Sequence, residues 1–180
     1  MFLIEDNNFL NKDQKDHIDN VVLGSYFPWY FQKISVYPNK YSLPKKNNSF
    51  LSHIVLRRPE ERSKDEYFNS TESEFCIDVL NTFCKKNNIK YKEILRIVYN
   101  LTFNNGSSKC DLHEDHPYPH KQLIVYLNEC DKKLCTVIKN KNKEIKIEPK
   151  KFKGVCFESK PHYAFFPKKN ERVTLIITFR

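Results

Sequence analysis

The second half of the chain is a series of short β-like runs separated by turn signals, and this pattern limits the fold more than any other feature. The runs are residues 94–99, 122–127, 134–138, 144–147, 154–157 and 173–179. Short strands at such regular spacing are typical of a β-sandwich, a barrel or a jelly roll. The sequence therefore predicts a mainly β core, with these three architectures open.

Two segments of the first half have the apolar spacing of helices. One covers residues 9–23, with Asn8 or Asn11 as its N-cap. The other follows the capping pattern at residues 70–74 and ends at Asn87. We predict that these helices support the β core.

An aromatic and β-branched stretch lies between the two predicted helices. It predicts a strand over residues 29–37, which ends in a turn at Pro38. The segment that follows, up to Ser49, is predicted to be a loop. The Lys- and Asn-rich residues 139–143 predict a solvated hairpin turn in the second half.

Length and composition suit one domain. The chain has 180 residues, of which 39% are hydrophobic, so we predict a single domain in which residues 1–90 support a core formed by residues 91–180. Six cysteines without a C-x-x-C pair predict reduced thiols. No window approaches the roughly 18 apolar residues of a membrane span, which predicts no membrane contact and a cytoplasmic protein, in the host cytoplasm if the source is viral. The oligomeric state stays open.

The charge balance favours an acidic partner. Lys and Arg number 31 against 22 Asp and Glu, which gives a formal net charge of +9 and would attract nucleic acid. The lysines, however, are scattered among asparagines instead of forming a compact arginine-rich face with interleaved aromatic residues. Nucleic acid therefore remains an alternative partner.

A candidate metal site begins at His113 and Asp115. Side chains two residues apart point to the same side of an extended chain and can hold one ion, although this spacing is common by chance. His162, in the predicted turn after the strand at residues 154–157, supplies a third ligand. Two histidines and one carboxylate form the facial triad of non-haem Fe(II) oxygenases, with positions left for a chelating cosubstrate and O2.

Arg172 opens the final predicted strand, ten residues after His162. Its planar guanidinium can bind a carboxylate through two hydrogen bonds. Alternation along the strand places Arg172 and Thr174 on one face. The other face is entirely apolar: Val173, Leu175, Ile177 and Phe179. We predict that the apolar face packs beneath the N-terminal helices and that the polar face meets a diacid in the barrel mouth.

The remaining histidines are predicted to stay outside the site. Two prolines between His116 and His120 exclude a helical pair of ligands, so both are predicted to be loop residues near the entrance. His17 and His53 are predicted to have ordinary surface or core roles. Arg96, on an otherwise apolar strand, predicts a structural salt bridge.

Residues 113–128 (HEDHPYPHKQLIVYLN) and 149–179 (PKKFKGVCFESKPHYAFFPKKNERVTLIITF) resemble the 2-oxoglutarate/Fe(II) oxygenase superfamily. The similarity is closest to its prolyl-hydroxylase-like branch, small members of which occur in phages and marine bacteria, and it extends more loosely over residues 96–105. The resemblance implies a double-stranded β-helix (jelly roll) with supporting N-terminal helices. It also implies Fe(II) as the metal, 2-oxoglutarate as cosubstrate and O2 as oxidant.

The resemblance also implies roles for individual residues. His113, Asp115 and His162 match the iron ligands, and Arg172 matches the arginine that pairs with the far carboxylate of 2-oxoglutarate. Tyr126 matches a tyrosine that hydrogen-bonds the same carboxylate. The further cofactor-binding candidates are Thr174, Asn100 and Thr136.

The implied activity is hydroxylation of a protein side chain, with proline as a candidate, coupled to decarboxylation of 2-oxoglutarate to succinate. Asp115 argues against the halide-binding variants of the superfamily, in which a small residue vacates this coordination position. Leu134 and Cys135 stand where the family usually has a Gly-Gly or Gly-Asp pair, so the identity of the substrate is not carried over.

Two alternative functions remain open. The first is a nucleic-acid demethylase or hydroxylase of the same superfamily, but those relatives usually carry a second arginine soon after the first, and here only Arg180 follows Arg172. The second is a non-enzymatic β-sandwich, a binding or structural protein with a vestigial metal pocket.

Overall fold

The computed structural model describes residues 1–35, 40–41, 48–63 and 68–180. The strands in this part of the chain are β1 (Leu3–Asp6), β2 (Tyr30–Gln32), β3 (Phe50–Leu56), β4 (Ile94–Thr102), β5 (Lys121–Tyr126), β6 (Thr136–Asn140), β7 (Lys143–Ile147), β8 (Gly154–Glu158), β9 (His162–Ala164) and β10 (Arg172–Phe179). The helices are α1 (Lys12–His17), continued by a π-helical turn at Ile18–Val22, and α2 (Ser73–Lys86), with a 3-10 turn at Pro59–Glu61.

A capping box starts α1. The side chain of Asn11 accepts a hydrogen bond from the Gln14 amide at 2.8 Å, and the Gln14 side chain accepts one from the Asn11 amide at 3.0 Å. Two orphan amides of the first turn are thereby satisfied. Of the two predicted N-caps, Asn11 is the correct one.

Helix α2 buries one stripe of its surface. The stripe consists of Cys76, Val79, Leu80, Phe83 and Cys84. These residues belong to the main hydrophobic core together with the π-helical turn and one face of the larger sheet. The predicted supporting role of the helices is confirmed.

The strands form two antiparallel sheets. The major sheet has the order β1-β8-β5-β10-β4-β3-β2, and the minor sheet has the order β7-β6-β9. The hairpin between β6 and β7 turns at Lys141, inside the predicted turn. A second core cluster contains residues of both sheets: Ile124, Tyr126, Ile138, Ile147, Val155 and Phe157.

Strand β10 lies near the centre of the major sheet, between β4 and β5. Its apolar residues Val173, Leu175, Ile177 and Phe179 join the core that contains α2. Arg172, Thr174 and Ile176 line a cavity that also involves residues of the minor sheet. The predicted packing of the apolar face against the helices is confirmed, and the polar face lines a cavity. The diacid expected there stays a prediction.

Several strands differ from the sequence prediction. The strand predicted over residues 29–37 is limited to β2, and residues 36–39 and 42–47, where parts of this strand and of the following loop fall, lie outside the described residues. Strands β1, β3 and β9 were not predicted. His162, predicted in a turn, opens β9 because the segment pairs with β6.

All six cysteines are free thiols, as predicted. Of the helices that the structure describes, none has the length and apolar character needed to cross a bilayer.

A close approach of backbone to aromatic rings at Gly154 generates a stability prediction. A methyl group there would lie 2.7 Å from the nearest ring atoms of both Phe9 and Phe83. These two rings pack edge to face, with their centroids 5.0 Å apart. We expect Gly154→Ala to lower the free energy of unfolding by about 1–3 kcal/mol, because overpacking strains a filled core. Urea unfolding measures the loss.

The matched control is the same substitution in a Phe83→Leu background, where the smaller side chain leaves room. We expect a smaller loss there, since residues in contact couple energetically. Equal losses in the two backgrounds would contradict the packing described here.

Candidate metal centre

A backbone bridge brings two distant histidines together. The His113 amide donates to the His162 carbonyl at 3.1 Å, and the His162 amide donates to the His113 carbonyl at 2.8 Å. Their imidazole centroids are 4.5 Å apart. The bridge therefore places both rings side by side, one from the loop before β5 and one from β9.

Hydrogen bonds to backbone carbonyls orient both rings. Nδ1 of His113 donates to the carbonyl of Asp111 at 2.8 Å, and Nδ1 of His162 donates to the carbonyl of Lys160 at 3.0 Å. A ring that donates through Nδ1 keeps a lone pair on Nε2, the usual arrangement of metal-binding histidines. The side-chain amide nitrogen of Gln122 lies 3.4 Å from Nε2 of His162.

Asp115 completes the cluster. One ligand atom from each of His113, Asp115 and His162 lies within 4.8 Å of the others. Asp115 is buried, and its Oδ1 accepts hydrogen bonds from Arg96 at 3.1 Å and Arg58 at 3.5 Å. The salt bridge predicted for Arg96 is present, and its partner is the candidate metal ligand.

Local charge and burial keep Asp115 and His113 in metal-binding protonation states. Burial alone would raise the pKa of Asp115, but His162, Arg96, His113 and Arg58 outweigh it and hold the pKa below its usual range. Burial lowers the pKa of His113 to about 4. The carboxylate is therefore ionised and this imidazole neutral near pH 7, and the donor set fits a facial-triad Fe(II) ion.

Arg172 is a buried cation that lines the same cavity as His113 and His162. Arg172 donates from Nη2 to Thr136 Oγ1 at 3.0 Å, and its guanidinium lies 5.2 Å from the centre of the Tyr126 ring. Its buried Nε has no hydrogen-bond partner, and among the described residues no carboxylate forms an ion pair with it. A buried guanidinium in this state favours an anionic ligand, because an uncompensated charge is costly.

The cavity lies between the two sheets and is lined by most of the residues predicted for the site. Its walls include His113, His162, Arg172, Thr174, Asn100 and Thr136. Tyr126 donates to Thr136 at 2.8 Å, and in the sheet register Thr174 lies between Tyr126 and Asn100. The structure thus brings the eight predicted residues into one region.

The prediction for two other histidines was wrong in part. His116 and His120 lie in the loop before β5, as predicted, but their side chains are buried rather than near an entrance. His116 Nε2 lies 2.8 Å from Thr178 Oγ1, and His120 Nδ1 lies 2.9 Å from the carbonyl of Tyr118. These contacts draw the loop inward.

The other two histidines lie outside the metal-ligand cluster, as expected. His17 pairs with Glu72 at 2.9 Å, and buried His53 contacts the carbonyl of Pro28 and the hydroxyl of Ser70 at 2.8 and 2.7 Å.

Sequence reasoning missed the groups that orient the ligands. Arg58 follows β3 on a loop, and the carbonyls of Asp111 and Lys160 act through the backbone. Backbone acceptors carry no signal in residue identity. For Arg58, the charged segment at residues 57–62 offered no periodicity that would single it out.

No protein-family model matches the chain, and no curated protein sequence matches it. Solved structures do. An oxidoreductase of the 2OG-Fe(II) oxygenase family from Burkholderia pseudomallei superposes with a TM-score of 0.73 at 14% identity, covering 98% of this chain and 84% of that one. The chain has the fold of the 2OG-Fe(II) oxygenases.

Two prolyl hydroxylases share this oxygenase fold. One, from Trichoplax adhaerens in complex with a peptide fragment of the hypoxia inducible factor oxygen degradation domain, has a TM-score of 0.61 at 14% identity and covers 98% of this chain and 82% of that one. The other is the viral collagen prolyl hydroxylase of Paramecium Bursaria Chlorella virus-1, in a 2OG complex. It has a TM-score of 0.59 at 14% identity, and the match covers 100% of this chain and 96% of that one.

The similarity confirms the double-stranded β-helix expected from the sequence. At this level of identity it establishes the fold, while the candidate iron site rests on the His113, Asp115 and His162 cluster. Within this fold, the donor set of the cluster fits an Fe(II) ion.

The double acceptor role of Thr136 generates a second stability prediction. Thr136→Val removes the oxygen that accepts from both Tyr126 and Arg172 and leaves two buried donors without that partner. We expect the free energy of unfolding to fall by about 1–3 kcal/mol or more, the desolvation cost of unsatisfied buried groups. Thr102→Val is the matched control, because its hydroxyl donates at 3.2 Å to a backbone carbonyl. A loss no larger than that of the control would contradict the network.

Proposed function

We propose that the protein is an Fe(II)- and 2-oxoglutarate-dependent oxygenase that hydroxylates a protein or peptide side chain, with proline as the first candidate. One observation carries the proposal. A single cavity is lined by the two histidines of the His-Asp-His cluster and by a buried guanidinium, that of Arg172, without a carboxylate partner among the described residues.

In this proposal the cluster holds the metal. Nε2 of His113, Nε2 of His162 and a carboxylate oxygen of Asp115 are the ligand atoms, because the other imidazole nitrogens are engaged by backbone carbonyls. With Fe(II), 2-oxoglutarate and O2 bound, the reaction yields succinate and CO2 and inserts one oxygen atom into a substrate C–H bond.

Arg172 then binds the far carboxylate of 2-oxoglutarate. Its free Nε and the hydroxyl proton of Thr136, whose oxygen accepts from Tyr126, are the available donors, and hydrogen bonds from a cation to a carboxylate are the strongest of this kind. Ile124, Ile176, Phe165 and Phe166 supply apolar wall around the cavity and exclude water from it. The chain therefore orients a diacid in a largely dry site.

The structural neighbours support a peptide substrate. One of them is named for a complex with a peptide fragment, and another is named as a collagen prolyl hydroxylase.

We place the activity in the cytoplasm, because six free thiols suit a reducing compartment.

Turnover tests the proposal. With Fe(II) and 2-oxoglutarate, we expect proline-containing peptides to stimulate succinate formation, with a peptide product heavier by one oxygen atom in the mass spectrum. His113→Ala should lower the rate by at least about 100-fold, because a metal ligand is removed. His17→Gln is the matched control, since that histidine contacts Glu72 and lies outside both the metal-ligand cluster and the cavity lining, and it should leave the rate unchanged.

Three other outcomes would contradict the proposal in different ways. Stimulation by oligonucleotides but not by peptides would assign the activity to nucleic acid. Equal rates in wild type and His113→Ala would exclude the metal cluster. A folded wild type that neither binds Fe(II) nor consumes 2-oxoglutarate would favour the non-enzymatic binding protein.

A further inference from the structure

The two carboxylate oxygens of Asp115 have different neighbours. Oδ1 accepts from Arg96 Nη1 at 3.1 Å and from Arg58 Nη2 at 3.5 Å. Oδ2 lies 3.6 Å from Nε2 of His162, the atom that carries the ring's lone pair. One oxygen therefore faces two guanidiniums, and the other faces the candidate metal position.

Arg96 is an unusual residue for its position. It lies on β4 between buried Leu95 and Ile97, and its side chain is 16% exposed. A guanidinium taken out of water loses solvation that an ion pair only partly restores, and well-packed apolar residues often serve stability equally well. Packing alone therefore does not account for an arginine at this place in the strand.

Arg58 approaches the same oxygen from a different element. It lies after β3, its side chain is 27% exposed, and its contact with Asp115 is longer than that of Arg96. Burial and the charge of Arg58 lower the pKa of Arg96 to about 10. Two cations held close together at one oxygen leave that oxygen little freedom to turn towards a metal.

The number of carboxylate oxygens that reach the metal sets how many positions remain open. With two imidazoles and one carboxylate oxygen, a six-coordinate ion keeps about three positions for small ligands. A carboxylate that binds through both oxygens would occupy one of these. A chelating diacid together with O2 needs all three.

We infer that Arg96, assisted by Arg58, is a positioning residue that holds Asp115 as a one-oxygen metal ligand and so preserves the third open coordination position. The inference rests on the proposed function for its metal site. It concerns how this chain presents its carboxylate, independently of which substrate the protein modifies.

The test counts the water molecules on Mn(II) bound to the protein without 2-oxoglutarate, by the relaxation of water protons. Wild type should hold about three exchangeable waters. Arg58→Met with Arg96→Met should hold about two, because both oxygens of Asp115 then become free to bind. Arg96→Met alone should show a partial decrease, and Arg96→Lys, which keeps the charge, should stay near the wild-type value.

Arg62→Met is the matched structural control. Arg62 donates from Nη2 to the backbone carbonyls of Leu95 and Ile94 on the same strand and forms no ion pair with Asp115. Its loss should lower thermal stability without changing the number of waters. If the double variant fails to fold, Arg96→Met carries the test.

An unchanged number of waters in a folded variant that lacks Arg96 would overturn the inference, as would an equal decrease in Arg62→Met. The proposed function can fail separately. Suppose that Mn(II) holds about three waters in wild type and about two in the double variant, but that wild type forms no succinate. This result would support the inference and contradict the oxygenase activity.

Discussion

The alternation of residues along β10 is the constraint on which the rest of the structure depends. One face of this strand closes the hydrophobic core against α2, and the other face lines the cavity with Arg172 and Thr174. A shift by one residue would turn Arg172 into the apolar core and expose Val173, at a large cost in free energy. The packing of the helices thereby fixes where the guanidinium points.

A second feature of the molecule is the balance of buried charge. Arg96 and Arg172 are cations in or near the core, and Asp115 is the carboxylate within the metal-ligand cluster. Asp115 compensates Arg96 but lies in no contact with Arg172. Because an isolated buried charge is costly, an anionic ligand on Arg172 would complete a balance that the described part of the polypeptide leaves open.

Much of this arrangement is predictable from the sequence, and the reasons are local. Alternation in β10 depends only on extended backbone, so that prediction holds. His113 and Asp115 do contribute ligand atoms to one cluster, but Asp115 lies in a bend and not in a strand. His162 was expected in a turn, but it begins β9, because a strand of three residues is stabilised by its partner β6 rather than by its own composition.

The errors have a common physical origin in contacts between distant parts of the chain. Strands β1 and β3 form by pairing with β8 and β4. The buried positions of His116 and His120 follow from contacts with Thr178 and with the loop itself. Arg58 reaches Asp115 across the fold, so nothing in its neighbourhood in sequence identifies it.

The most direct test of the central claim is an anaerobic titration of the protein with Fe(II) and 2-oxoglutarate, followed by the metal-to-ligand charge-transfer absorption in the visible. We expect a band in wild type and none in His113→Ala. In Arg172→Met we expect the same band, with an affinity for 2-oxoglutarate weaker by about 2–5 kcal/mol, the effect of removing one partner of a buried charge pair. A well-folded wild type without the band, or an Arg172→Met variant with unchanged affinity, would contradict this claim.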